Sequence, residues 1–168
     1  MTVQLHKVRI LLLSLWIGAA IFFSAVVAPT AFRVLRAFNL PNAGEIAGAI
    51  VNQALGVVNT AGFIISLLLL ASTFPLRRNY SRTRFVLQNI LLGVIAISTG
   101  IGEWVIAAKM RALRAAMSLP IDRIDLSDPG RVAFQTLHGY SVAALSIAII
   151  AALIAFFVIA TPVRHVDE

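Results

Sequence analysis

The stretch VAFQTLHGYSVAALSIAIIAALIAFFVIATPV, residues 132–163, decides the fold: its 32 residues contain one ionisable side chain, His138. A helix needs about 20 apolar residues to cross the hydrocarbon core of a bilayer. Lipid offers the backbone no hydrogen-bond partners, so a single segment must satisfy its own polar groups, which a helix does and an open strand does not. Working outward, three more stretches meet the same criterion. Between Arg9 and Arg33 lie 23 uncharged residues, residues 46–76 give 31, and residues 85–108 give 24 interrupted only by Glu103. The reading is an all-α, polytopic four-transmembrane-helix bundle, with residues 1–168 as one integral membrane domain and spans near 9–31, 47–72, 85–108 and 136–160.

Composition agrees. Hydrophobic residues make up 60% and charged residues 12% of the 168, against about 45–50% and about 25% in a typical soluble domain, and the mean hydropathy is +0.92. This excludes a soluble enzyme, a nucleic-acid-binding domain and a disordered chain. The net charge of +7 falls in short clusters between apolar runs, which points to anionic lipid head groups rather than nucleic acid as the partner. With no cysteine, disulfides, iron–sulfur clusters and thiolate zinc are out. The first span follows a basic start and resembles a signal sequence, but its apolar run is too long and Pro29 would stand at the first mature position, so the segment is read as retained.

Local signals mark the helix ends. Asn42 reads as an N-cap with Glu45 as its capping-box partner. Asp128 followed by Pro129 reads as the N-cap and first turn of the last helix, and Pro75 and Pro162 close the second and fourth helices. Orientation rests on Lys and Arg alone. Seven lie on the side of the termini (Lys7, Arg9, Arg77, Arg78, Arg82, Arg84, Arg164) and seven on the other (Arg33, Arg36, Lys109, Arg111, Arg114, Arg123, Arg131). The dense cluster Arg77, Arg78, Arg82 and Arg84 breaks the tie toward cytoplasmic termini, and makes these four the expected lipid or interface contacts, with Tyr80 as an interfacial anchor.

Helix association in lipid favours small and polar residues at the packed faces. Such stripes run through Glu45, Gly48, Asn52, Gly56 and Asn59; through Asn89, Gly93, Ala96, Gly100 and Glu103; through His138, Ser141, Ala148, Ala152 and Ala155; and through Ser14, Gly18 and Ala25. Trp16, Phe22, Phe23, Phe156 and Phe157 are left for gaps and lipid. Ionisable residues inside a span are costly and mark function by default. Glu103 and His138 lie at matched depth, roughly 10 Å from the same face at 1.5 Å per residue, so they are expected to pair. With Ser141 and Asn52 they form the expected polar intramembrane site, and an interhelical lock without function is the plainer alternative. No metal is expected, since His6 and His165 stand at the face opposite His138. No cofactor is expected either, although single-histidine haem or chlorophyll ligation at His138 stays open.

Several short elements carry a family likeness. Leu15-Trp16-Ile17-Gly18 leads to Phe22, Phe23, Pro29 and Phe32; Ala43-Gly44 opens the second helix; Met110-Arg111-Ala112-Leu113-Arg114 follows the third; and Phe134-Gln135-Thr136-Leu137-His138-Gly139-Tyr140-Ser141 opens the fourth. In these the chain resembles the four-helix membrane proteins similar to transmembrane protein 205, described in bacteria as a domain of unknown function. The resemblance implies four spans and interest in His138 and Ser141. It implies no reaction, and Leu145 stands where the family often has Asn. Without a catalytic constellation the chain is read as non-enzymatic: a structural or accessory subunit of a membrane assembly, associating with other membrane subunits or with itself. The alternatives are an oligomeric transporter or channel for protons, cations or small solutes, and a haem- or pigment-binding subunit.

Overall fold

The computed structural model describes residues 2–40, 42–77 and 80–161; Arg78, Pro162, Arg164 and His165 lie outside the described residues. Four helices account for nearly all of it: α1 (Gln4–Ala37), α2 (Ala43–Thr73), α3 (Arg82–Ala116) and α4 (Pro129–Ala160), each long and apolar enough to span a membrane. They overrun the apolar stretches because a charged side chain ends contact with hydrocarbon without ending the helix. Termination has other causes. After α1 the chain reverses at Asn39, which adopts a left-handed φ of 50°, a conformation Asn tolerates. After α2, Pro75 has no N–H to continue the ladder. The Ser81 hydroxyl caps α3 by accepting from Arg84 N at 3.3 Å. Asp128 caps α4 as the sequence indicates, accepting from the N–H of Gly130 at 2.8 Å and of Arg131 at 3.1 Å. Asn42 does precede α2, but its side chain makes no capping bond, and Glu45 binds Arg114 instead. A charge-assisted bond to guanidinium outcompetes a bond to a neutral N–H.

Sequence neighbours are spatial neighbours: α3 packs on both α2 and α4, and α1 closes the ring against α4 and α2. The core lies between them, built from Leu13, Trp16, Ile17, Ala20 and Phe23 of α1, Leu69 of α2, Leu91, Leu92 and Ile95 of α3, and Leu145, Ala148, Ala152, Ala155 and Ile159 of α4. The expected small-residue face of α4 holds from Ser141 onward. That of α1 does not: Ser14, Gly18 and Ala25 are exposed, while Trp16 and Phe23 are buried. The reason lies on the facing helix. Gly62 of α2 leaves the space into which the Trp16 indole inserts, and Trp16 Nε1 donates to the Val58 carbonyl at 2.9 Å. A large knob from α1 enters a hole that α2 supplies. The exposed serines need no partner helix, since Ser14 and Ser24 donate to the carbonyls of Ile10 and Ala20, each at 2.8 Å.

Two helices widen locally into π-turns, α1 at Phe23–Val27 and α3 at Ile101–Ala107. Such single-turn insertions recur at functional positions, and the second one carries Glu103.

Candidate functional site

Glu103 leaves α3 from this widened turn toward α2. A Cβ on Gly56 would stand 3.2 Å from Glu103 Oε2, and one on Gly102 would stand 3.2 Å from Asn59 Nδ2. The two glycines therefore let each helix accept the other's polar side chain. Glu103 Oε1 accepts from Arg111 Nη1 at 3.2 Å, with 14% of the Glu103 side chain exposed against 50% of Arg111. Glu103 Oε2 is buried with no hydrogen-bond partner. Beside this pair an open groove of about 630 Å³ runs along the α2/α3 flank, lined by Asn52, Gln53, Gly56, Thr60, Glu103 and Arg111, together with Val57, Ala61 and Ile64. Polar and apolar residues thus interleave along the α2 wall.

The expected pairing of Glu103 with His138 is overturned. His138 is exposed on the outer face of α4. The buried residues Ser141, Leu145, Ala148, Ala152, Ala155 and Ile159 set an alternation of fours and threes. Continued backward, that alternation would reach His138 and then Phe134, but the partly covered residues before Ser141 are Leu137 and Phe134 while His138 is exposed, so the covered stripe shifts by one position there. His138 thus faces away from the bundle, and Glu103 pairs with Arg111. Ser141 is buried in the bundle at 5% exposure, away from the groove, and Asn52 is the one remaining member of the expected set that lines it beside Glu103. Near the start of α2 the small residues Gly44 and Gly48 do not meet another membrane helix. Gly44 makes room for the Asp122 carboxylate of the α3–α4 connection, and among the described residues nothing packs on Gly48.

A second polar cluster, missed in the sequence, seals the end of the bundle that holds the α2–α3 connection. Arg9, counted above among the basic residues on the side of the termini, is 1% exposed. Its Nη2 donates to Thr73 Oγ1 at 3.2 Å and to Gln88 Oε1 at 3.1 Å, and its Nη1 to Tyr80 Oη at 3.4 Å. Thr73 sits in the last turn of α2, where the negative end of the helix dipole favours a cation. Arg84 treats α4 the same way, donating to the carbonyls of Val158 at 2.6 Å, Ile159 at 3.1 Å and Thr161, with its guanidinium 5.1 Å from the Tyr80 ring centroid. The signal available in the sequence was Gln88 and Thr73, polar residues within a turn or two of the same end as Arg9.

The other expected contacts diverge. Arg77 is exposed and stacks over Phe85 at 5.5 Å, and Arg82 is exposed. Among the described residues no group of three His, Asp or Glu could hold a metal ion.

Residues 11–118 match the family described as a domain of unknown function, DUF4149, and the chain belongs to that family. No curated protein and no solved structure matches it. Four apolar helices make this member a multi-pass integral membrane protein.

Proposed function

We propose that this member of the family is a non-enzymatic accessory subunit of a membrane assembly, receiving a transmembrane helix of its partner on the α2/α3 groove. One observation carries the reading: an open groove on the flank of the bundle, along two helices long and apolar enough to span a membrane, sets Asn52, Gln53 and Thr60 among apolar walls. Asn52, Gly56 and Thr60 recur there at steps of four, the spacing that lets a second helix approach closely. Interhelical hydrogen bonds to Asn52, Gln53 and Thr60 would contribute about 0.6 kcal/mol each, which suits regulated association better than permanent fusion. The single carboxylate in the groove is tied to a guanidinium, which supports a binding role over acid–base catalysis. The proposal places both termini in the cytoplasm and assigns no cofactor; a haem or chlorophyll absorbance band in the purified protein would reassign His138. The likeness to transmembrane protein 205 adds no reaction, and its fourth-helix element, residues 134–141, falls outside the matched 11–118.

Affinity purification from native membranes in mild detergent tests the reading. An integral membrane protein should accompany the wild type, be lost from Thr60→Phe, which fills the groove, and persist with Val142→Phe on the outer face of α4. The same companions with all three chains would refute groove docking. One observation favours a second reading, an oligomeric proton or cation pathway: the partnerless buried Oε2 of Glu103. Ion flux in proteoliposomes that Glu103→Gln abolishes would select it.

A further inference from the structure

The structure divides the work of the arginine cluster, and the division points to a lipid site. Arg84 is consumed by the carbonyls at the end of α4, and Arg77 lies on the Phe85 ring. Arg82 is exposed and, among the described residues, makes no hydrogen bond or ion pair. Beside it a groove of about 410 Å³ begins at Arg82 and Thr83 and descends over Val86, Leu87 and Ile90. From Arg82 to Ile90 the helix rises about 12 Å, from a basic, hydroxyl-bearing rim into wholly apolar walls. Val86, Leu87 and Ile90 are 46%, 40% and 57% exposed, so no other helix covers this face.

Charge distribution selects the head group. All five carboxylates among the described residues, Glu45, Glu103, Asp122, Asp125 and Asp128, stand toward the opposite end of the bundle. A zwitterionic head group carries an amine as well as a phosphate, and this end offers that amine no described acceptor of opposite charge. We infer that the α3 groove holds one anionic phospholipid, its phosphate on Arg82 and the Thr83 hydroxyl and an acyl chain along Val86, Leu87 and Ile90. The inference rests on membrane insertion and is independent of partner docking at the α2/α3 flank.

Native mass spectrometry of the full chain in detergent tests it, titrating phosphatidylglycerol, phosphatidylcholine with identical chains, and glycerol 3-phosphate as the head group alone. The wild type should retain phosphatidylglycerol about fivefold better than phosphatidylcholine, the equivalent of the ~1 kcal/mol that one basic side chain contributes at an anionic surface. Arg82→Gln should lose that preference with an unchanged melting temperature, Arg77→Gln should keep it, and Val86→Trp should weaken both lipids. A preference that survives Arg82→Gln, or falls equally with Arg77→Gln, overturns the assignment. Binding of glycerol 3-phosphate as tight as that of the lipid overturns the acyl groove.

Discussion

Arg9 and Arg111 stand toward opposite ends of the bundle, and both turn inward to polar partners. Arg9 is sealed: 1% exposed, held by three neutral acceptors from α2, α3 and their connection. Arg111 is half open, bound to a carboxylate that borders an open groove. Closure is the difference between a polar cluster that holds helices together and one that remains available to something else. A buried donor or acceptor left alone costs about 1–3 kcal/mol, so the sealed cluster should resist mutation badly and the open one should tolerate it.

The largest effect should therefore come from Arg9→Ala. It strips partners from buried Gln88 and Thr73 and leaves a cavity, for a loss of about 2–4 kcal/mol, read as the melting temperature in detergent. Arg9→Met, which restores volume without charge, should recover part of it. Arg9→Ala melting like the wild type would break the comparison at its sealed end.

Next in size is Gly62→Val. The added side chain would occupy the space of the Trp16 indole, an overpacking worth about 1–3 kcal/mol. In a Trp104→Phe background, Trp16 emission should change as the indole is expelled, and an unchanged spectrum would remove the knob-into-hole account of α1. Arg84→Gln should cost about 1–2 kcal/mol, since it frees the carbonyls at the end of α4. Chemical denaturation of the reconstituted protein would show it.

These cases also mark what the sequence made legible. Counting charge-free residues located all four helices, because that count measures transfer into hydrocarbon directly. Asp128-Pro129 was legible because a cap is a local event. Packing faces were less so. Small residues do mark the α4 face, but α1 packs through Trp16 because Gly62, more than forty residues away, makes room for it, and no pattern within α1 records that. His138 failed for a related reason: it stands in step with the buried stripe, three residues before Ser141, yet the neighbouring helices cover Leu137 instead, and that shift is not written in the spacing of α4. Glu103 leaves α3 from a widened turn that aims it at α2 rather than α4, and Arg111, counted in the sequence only as a topology charge, is its partner.

At the open end the effects on stability should be small. Glu103→Gln keeps an acceptor for Arg111, and a half-exposed ion pair contributes about 0–1 kcal/mol. Melting should scarcely move while partner recovery falls, and a large stability loss would move Glu103 into the structural class with Arg9.

Smallest of all is a pH effect in the α3–α4 connection. The Asp125 carboxylate accepts from the Ser127 hydroxyl at 2.6 Å and the Ser127 N–H at 2.8 Å, and these bonds hold its pKa below the ordinary value, led by the hydroxyl. A folded-state pKa below the unfolded one adds stability above the unfolded value, about 3.9, and loses it as pH falls through the folded value. Hydrogen exchange in residues 121–128 should therefore quicken only below about pH 4, and Asp125→Asn should abolish that dependence. Exchange that quickens equally in Asp125→Asn would detach the effect from this turn.

The α2/α3 flank as a docking face is tested most directly by a photo-reactive residue placed at Gln53 in the groove or at Ile150 on the outer face of α4, irradiated in native membranes. Both positions are exposed. Docking predicts a discrete protein adduct from position 53 that Thr60→Phe removes, and lipid adducts alone from position 150. Lipid adducts alone from both positions, or the same protein adduct from both, would contradict it.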